Sequence, residues 1–133
     1  MGVSASDGKI YAVGESADPA RGMVPVALTQ SCGTWAYAQL PAYSSKWTYL
    51  LGVAYYGGRA VAVGTDFDIA SGNQVPVLLT GTSSGDWSAV NGPNPSGGQG
   101  GDIIGGVTST GTSLWATGMF DTGNDHMALL QHD

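Results

Sequence analysis

The sequence is short of the residues on which nucleic-acid binding and membrane insertion depend. Only four Lys or Arg occur in 133 residues, against ten Asp or Glu, and the net charge is −6. Nucleic-acid affinity depends largely on basic side chains that neutralise phosphates, so this balance predicts no nucleic-acid partner. The same deficit disfavours an anionic membrane surface. No apolar run is long enough for a transmembrane helix, and we expect no membrane insertion.

Cysteine and histidine are scarce, which narrows the chemistry further. Cys32 is the single cysteine, so no disulfide can form within the chain. No His lies near it in the sequence, and we expect a small, buried or half-buried side chain rather than a catalytic thiol. Gly-x-Ser-x-Gly, His-Glu-x-x-His, a phosphate-binding loop and Cys/His metal spacing are all absent from the sequence. These absences favour a binding protein over an enzyme.

Helix-forming patterns are also missing, whereas Gly, Ser and Thr are plentiful. No long window places apolar residues at helical spacing, and short alternating runs bounded by Gly, Asn, Asp and Pro predict an all-β protein. The N-terminus leads directly into a repeat, with no signal-peptide pattern before it. Low charge and heavy use of Gly, Ser and Thr are typical of exported proteins, so we expect a secreted or extracellular location.

The dominant feature of the sequence is an internal repeat with a period of about 50 residues, which indicates a repeat architecture. A Gly-Val pair stands at residues 2–3, 52–53 and 106–107. Ala-Val-Gly stands at 12–14 and 62–64, and Ala-Thr-Gly at 116–118. Residues 24–29 recur at 75–80 and, more loosely, at 126–131. The chain is therefore a single segment, residues 1–133, made of a first unit (2–47), a second unit (48–101) and a third unit (102–133).

Each unit is predicted to hold four short antiparallel strands, except that the third unit has only three. The eleven predicted strands cover residues 2–5, 10–13, 23–29, 34–40, 48–56, 59–63, 75–80, 87–90, 102–107, 114–118 and 125–131. Because successive strands reverse direction, the connections at 15–22, 41–47, 65–74, 91–101 and 120–125 lie on one face. We predict that these connections are long polar loops, and long loops on a rigid scaffold often carry binding residues.

Two segments carry a resemblance to a known kind of repeat. Residues 10–14 (Ile-Tyr-Ala-Val-Gly) and 114–118 (Leu-Trp-Ala-Thr-Gly) are similar to the WAVG-type blade repeats of secreted bacterial β-propeller proteins. The resemblance covers nearly the whole chain, although Val61 replaces the aromatic residue in the second unit. It implies β-propeller blades of four antiparallel strands, about 2.75 blades per chain. Proteins with such blades include carbohydrate binders, adhesion modules and enzymes, so the resemblance selects no function.

The number of blades predicts self-association. Propellers close with roughly four to eight blades, so fewer than three cannot form a ring. We expect the ring to be completed by oligomerisation, and a homodimer would supply about six blades, two of them without the outer strand. A ring of another size, or a five-bladed ring with shared strands, is the alternative.

Ten candidate ligand-binding residues lie on the predicted long-loop face. They are Tyr43, Lys46, Trp47, Asp66, Asp68, Asn73, Asp121, Asn124, Asp125 and His126. The group at 43–47 combines aromatic rings with a cation, which suits stacking on a sugar or an aromatic ring, although its Trp could equally pack between blades. The group at 66–73 has spaced oxygen ligands for a hard cation such as Ca²⁺, or else forms a capped turn. The group at 121–126 gathers carboxylates and an imidazole, which suits acid–base chemistry or a simple hairpin.

The sequence therefore predicts a ligand-binding β-propeller module, with a carbohydrate or another polar small molecule bound at the loop-rich face. No cofactor is expected apart from the Ca²⁺ hypothesis. The first alternative is an enzyme, a hydrolase or lyase. It would use Asp66, Asp68, Asp121 and Asp125 at the mouth of the central tunnel of the propeller ring. The second alternative is a structural or protein-interaction domain.

Overall fold

A computed structural model describes residues 1–43, 47–82, 85–92, 94 and 100–121, together with the backbone of 125–132. Every regular element in these residues is a β-strand, so the protein is all-β, as predicted. The strands are β1 (Gly2–Ser6), β2 (Lys9–Asp18), β3 (Gly22–Ser31), β4 (Thr34–Tyr37), β5 (Trp47–Tyr56), β6 (Arg59–Asp68), β7 (Asn73–Gly81), β8 (Trp87–Ala89), β9 (Ile103–Thr110), β10 (Ser113–Asp121) and β11 (Asp125–His132). No helix with the length and apolar character of a membrane span occurs among the described residues.

Each unit is an antiparallel meander of consecutive strands. The first unit holds β1 to β4, the second β5 to β8 and the third β9 to β11, and neighbours along the chain pair within each unit. The predicted order of strands is confirmed. The meander is the natural outcome of short alternating runs separated by tight turns, because each strand finds its partner in the next run of the same chain.

The strands β2 and β6 extend further than the sequence suggests, and the long loops predicted at 15–22 and 65–74 are wrong. The first hairpin stays paired to Asp18↔Gly22 and the second to Asp68↔Asn73, so each turn is only a few residues long. Polar residues in these segments resemble a loop in sequence. The ladder is made by backbone groups, however, and polar side chains on an exposed strand end do not interrupt it.

Adjacent units meet at what we call joints, which contain isolated parallel pairs of residues. One pair between the first two units is Gln39 with Asp86. Met23 of β3 pairs with Trp47 of β5 at the first joint, and Gln74 of β7 pairs with Gly101 just before β9 at the second. The pair of Met23 with Trp47 links the strands of the first two units into a mixed sheet of eight strands. Most contact between units is nonetheless face to face, since β5 packs against β1, β2 and β9.

The two faces of a unit are distinguished by strand alternation, because directly paired residues point to the same side. We call the side of Tyr11, Val13 and Ala27 the front face of the first unit, and the opposite side its back face. Repeat-equivalent residues define the same faces in the other units. The front face of the first unit packs on the back face of the second in one apolar cluster. The front face of the second unit packs on the third unit in two further clusters.

Glycine is required where the first strands of successive units approach each other. A Cβ at Gly2 would lie 2.9 Å from Cα of Gly52, and a Cβ at Gly52 would lie 3.4 Å from Cα of Gly106. Any side chain there would force the units apart. The Gly-Val pair of the repeat is therefore explained by backbone-to-backbone stacking of β1, β5 and β9.

The second glycine of the repeat lies opposite a β-bulge. Pairing of β5 with β6 skips Leu51, and pairing of β9 with β10 skips Gly105, the repeat-equivalent residue. The bulge brings the carbonyl group of Tyr49 against Gly64 in the second unit. It brings the carbonyl group of Ile103 against Gly118 in the third unit. This contact leaves no room for a Cβ and explains the last residue of Ala-Val-Gly.

Cys32 differs from the prediction of a buried or half-buried residue. It is exposed in the turn between β3 and β4, and its backbone has φ of 50°. A left-handed conformation is common in tight hairpin turns, and it directs this side chain to solvent.

Candidate functional site

A pocket of about 560 Å³ lies at the first joint. Two segments distant in sequence form its walls, the turn and start of β3 on one side and the connection from β4 to β5 on the other. The lining residues are Ala20, Arg21, residues 23–25, residues 40–43 and Thr48. Met, Val, Pro and Leu side chains supply the apolar part of the wall, and polar groups supply a nearly equal part.

Tyr43 supplies the most unusual polar group of the pocket. Its hydroxyl oxygen is buried and has no hydrogen-bond partner among the residues that the structure describes. Burial, with a smaller effect from the negative charge of Asp66, raises the pKa of Tyr43 to about 12. A buried hydroxyl without a partner costs free energy, and a bound ligand that bonded to it would recover that loss. Of the ten predicted residues, Tyr43 is the one that lines the pocket.

Thr48 also lines the pocket, and Asp66 is its direct partner in the neighbouring strand. The Thr48 hydroxyl donates a hydrogen bond to Oδ1 of Asp66. Thr48 is only 1% exposed. The carboxylate of Asp66 thus stands close enough to influence Tyr43 and is oriented by a buried hydroxyl. The structure brings together the predicted residues Tyr43 and Asp66.

Arg21 stands at the rim of the pocket in a bidentate arrangement with Asp18. Its Nε and Nη2 atoms donate to Oδ2 of Asp18 at 3.0 and 2.8 Å. The backbone N–H groups of Ala20 and Arg21 donate to Oδ1 of the same carboxylate at 2.9 and 3.0 Å. The Arg21 hydrogen bond, followed by the backbone donors, holds the pKa of Asp18 below its usual range. The arginine is therefore held in place by the turn between β2 and β3.

The predicted residues Asp68 and Asn73 belong to the corresponding turn of the second unit. Oδ1 of Asp68 accepts the Ala70 N–H at 3.0 Å, and Oδ2 accepts the Ser71 hydroxyl at 2.7 Å. The Ser71 oxygen accepts the N–H of Asn73 at 3.3 Å. The Ser71 hydrogen bond lowers the pKa of Asp68. These contacts support the capped-turn interpretation of the segment 66–73.

The Ca²⁺ hypothesis stays a prediction. Within the described part of the chain, no three His, Cys, Asp or Glu residues gather closely enough to hold a metal ion. Asp66 and Asp68 direct hydrogen bonds to different partners, Thr48 and the turn at 70–71. The contacts that are seen therefore give the two carboxylates separate structural roles.

The other predicted residues do not line the pocket or are not among the residues that the structure describes. Trp47 is partly exposed and makes an edge-to-face contact with Tyr49, with ring centroids 6.3 Å apart. Asp121 ends β10 near Gly101, at the second joint. Asp125 and His126 begin β11, opposite Asp121 and Phe120, and their side chains lie outside the described residues. Lys46 and Asn124 also lie outside the described residues.

Sequence reasoning missed Thr48 and Arg21. One signal for Thr48 exists in the repeat: Asp102 holds the equivalent position in the third unit, and both are polar residues immediately before an apolar run. Both are only 1% exposed, so the position is polar and buried in the second and third units. Arg21 had no comparable signal, since the equivalent turn in the second unit carries Ser71.

The geometry suits recognition of a molecule with both apolar surface and hydroxyl groups. The hydroxyls of Tyr43 and Thr48 can donate or accept, and the guanidinium of Arg21 donates. Comparison of the sequence with models of known protein families gave no match, and neither did comparison with curated proteins.

Proposed function

We propose that this chain is a ligand-binding β-propeller module that takes a carbohydrate or another polar small molecule in the pocket at the first joint. One observation carries the proposal: the pocket is lined by Tyr43, whose buried hydroxyl has no hydrogen-bond partner among the described residues. Native proteins satisfy most buried polar groups, and exceptions often belong to binding sites.

The size and lining of the pocket support a small ligand. A volume of about 560 Å³ falls within the range of small-molecule sites, which are mainly apolar with few oriented polar groups. The pyrrolidine rings of Pro25 and Pro41 and the side chain of Leu40 offer flat apolar surface. A sugar ring presents C–H groups on its faces and hydroxyls at its edge, so its two kinds of surface match those of the pocket.

The polar groups favour a ligand that both donates and accepts hydrogen bonds. Tyr43 and Thr48 bond in either direction, whereas Arg21 donates only. A hydroxyl group of the ligand can satisfy each of these. A purely cationic ligand would face the charge of Arg21.

The arrangement of the units supports the blade interpretation. In each unit the strands follow one another in an antiparallel meander, and the first strands of the three units stack through Gly2, Gly52 and Gly106. Successive blades of a propeller present their innermost strands to a common axis in this way. A ring of about six such blades would need two copies of the chain.

Saccharide titration followed by amide chemical shifts tests the proposed function. A panel of neutral and acidic mono- and disaccharides should shift signals from residues 20–25 and 40–43. Tyr43→Phe removes one hydrogen bond and should weaken binding roughly fivefold, from a loss of about 1 kcal/mol. Tyr37→Phe is the matched control, because Tyr37 is exposed on β4 and does not line the pocket. Absence of saccharide-induced shifts in the pocket, or equal affinity in both variants, would overturn the proposal.

The enzyme alternative is less well supported. Asp66 and Asp121 lie at different joints, and Asp68 accepts its hydrogen bonds from its own turn. Acid–base catalysis needs two such groups on opposite sides of one reacting bond. Incubation of the saccharides with the protein, followed by chromatography, separates binding from turnover.

A further inference from the structure

We propose that the back face of the first unit is an interaction surface for the front face of the third unit of a second copy of this chain. The proposal rests on the blade interpretation, but it does not depend on the ligand. Its basis is that this back face has the same residue positions as the two back faces that are already covered inside the chain.

The first step is a comparison of equivalent residues on the back faces of the first two units. Val3 is 70% exposed, whereas its equivalent Val53 is 6% exposed. Trp35 is 46% exposed, whereas its equivalent Trp87 is 6% exposed. Val53 and Trp87 belong to the apolar cluster that joins the second unit to the first. The repeat therefore places joint-forming residues on the first unit as well, and no described residue covers them.

The second step concerns the character of the exposed face. Direct pairing aligns Val3, Ala12 and Leu28 in one row across β1, β2 and β3. The adjacent row contains Ala5, Ile10, Gln30 and Trp35. Neither row contains a charged side chain. A contiguous apolar surface rimmed by polar residues is typical of an interaction site rather than of ordinary protein surface.

The third step identifies the occupant. Each back face within the chain receives the front face of the preceding unit. The third unit has such a front face, with Trp115 and Thr117 at the positions of Tyr11 and Val13. Thr117 is exposed and Trp115 is partly exposed. The surface of the third unit is thus the equivalent of the surface that the first unit presents to the second.

The fourth step is steric complementarity. At the first joint, Tyr11 stacks on Tyr55 with ring centroids 5.8 Å apart. In a joint between copies, the equivalent residues are Trp115 and Ala5. A large indole would then face a small methyl group. This pair is smaller than two tyrosines and larger than Val61 and Ser109, the equivalent pair at the second joint, so its size falls within the range that the joints inside the chain already accommodate.

Two such joints, related by a twofold axis, would close two copies into one ring. Each copy contributes the back face of its first unit to one joint and the front face of its third unit to the other. The interface is therefore head-to-tail, and it closes only because the rotation along the chain is repeated.

Light scattering coupled to size exclusion tests this interface. The unmodified chain should have twice the mass of one 13.5 kDa chain. Val3→Asp places a charge in the joint, and Thr117→Asp does so from the other side, so each variant should have the mass of a single chain. Both residues are exposed in the single chain, so neither change should affect folding, and far-UV circular dichroism verifies this. Ile69→Asp is the matched control, an exposed residue in the turn between β6 and β7, and should keep the doubled mass.

Mixing the two variants gives a sharper result. A Val3→Asp chain and a Thr117→Asp chain together retain one intact joint, so a two-chain species should reappear. A single-chain mass for the unmodified protein would overturn the proposal, as would a doubled mass that survives Val3→Asp and Thr117→Asp. Saccharide binding by the Val3→Asp chain separates the two proposals, because the pocket lies within one chain. Lost binding with a confirmed interface would refute only the function, and retained binding in a single-chain protein would refute only the interface.

Discussion

Two joints hold the three units together. The two joints have a similar pattern of backbone pairing but different side chains. In both, the start of a third strand makes one parallel pair with the start of the next unit. The pair is Met23 with Trp47 at the first joint and Gln74 with Gly101 at the second. At the second joint, the backbone N–H of Gln74 donates to the carbonyl of Gly100 at 2.7 Å.

The side chains at the joints differ in size and polarity. The first joint contains large side chains, an aromatic stack and a pocket with Tyr43 on its wall. At the second joint, Thr65 donates to the backbone carbonyl of Asp102 at 3.3 Å, and Asp102 takes the place of Thr48. The comparison teaches that the repeat determines how units stack. A binding site arises where the connecting segment and a few positions depart from the repeat.

The largest loss of stability is expected at Gly64 and Gly118, the glycines opposite the β-bulges, where the backbone contact is closest. A Cβ at Gly64 would overlap the carbonyl oxygen of Tyr49, and a Cβ at Gly118 would overlap that of Ile103. Since the strand cannot withdraw without breaking its ladder, Gly64→Ala and Gly118→Ala should each lower the unfolding free energy by about 4 kcal/mol or more. Urea denaturation followed by circular dichroism measures both losses.

Gly14 in the first unit is the matched control for these substitutions. Its Cβ would meet only the side chain of Met1, which can move aside. Gly14→Ala should therefore cost less than about 1 kcal/mol. Comparable losses in the three glycine variants would show that the bulge is not the reason for this residue.

The next largest losses of stability are expected in the apolar clusters at the two joints. Leu50 is fully buried in the larger cluster at the first joint, and its equivalent Ile104 is buried in a smaller cluster at the second. Leu50→Ala should cost about 3–4 kcal/mol and Ile104→Ala about 2–3 kcal/mol, because fewer surrounding groups lose contact at the second joint. Thermal denaturation of both variants checks the order. A larger loss from Ile104→Ala would contradict the view that the first joint is the stronger one.

A smaller, pH-dependent effect is expected at Tyr43. The pKa of this residue is about 12 in the folded protein, against 10.0 for an ordinary tyrosine. Its contribution to stability is therefore complete below pH 10 and is lost as the pH rises toward 12, because the unfolded chain releases the proton first. Tyr43→Phe abolishes this loss, and at neutral pH it should leave stability unchanged or raise it by up to about 1 kcal/mol.

Two measurements check the Tyr43 prediction. Stability curves of the unmodified chain and the variant should diverge between pH 10 and 12, with the variant the more stable. Phenolate absorbance should show that the variant lacks a tyrosine with a midpoint near 12. Parallel stability curves over this range would mean that the hydroxyl is satisfied in solution.

The smallest effects are expected in the two turns that precede the joints. The pKa of Asp18 and of Asp68 is lowered in the folded protein, so each carboxylate stabilises the fold above the ordinary value of 3.8 and loses that effect as the pH falls through its folded pKa. Asp18→Asn and Asp68→Asn should therefore destabilise slightly at pH 7 and not at pH 2.

Salt distinguishes the two turns. Asp18 is bonded to the guanidinium of Arg21, whereas Asp68 is bonded to the neutral hydroxyl of Ser71. Salt at about 1 M should therefore reduce the effect of Asp18→Asn more than that of Asp68→Asn. Equal salt sensitivity would indicate that the backbone donors, which both turns have, carry the stabilisation.

Much of the fold could be predicted because most strands pair with the strand that is next to them in the sequence. The repeat and its turns revealed the number and order of strands. The extended ends of β2 and β6 were missed, because a ladder made by backbone groups leaves no apolar signal where its side chains face solvent.

The site could be predicted only in part. Tyr43 and Asp66 were both predicted as ligand-binding residues and lie near each other, but the pocket that Tyr43 lines depends on packing of residues 20–25 against 40–43. No local pattern encodes that meeting of distant segments. Thr48 has a signal only through its equivalent, Asp102, since a buried polar residue before an apolar run looks like a strand boundary.

The small number of strand pairs between units has a consequence for how the chain folds. Nearly all strand pairing is between runs that are neighbours in sequence, so the entropy lost in closing loops is small for a protein made of β-strands, which favours fast folding. Each unit can form on its own meander, and the next one then adds to it, as in a one-dimensional array. The second unit, packed on both sides, should be the last to open, and its amide protons in β5 and β6 should exchange with solvent most slowly.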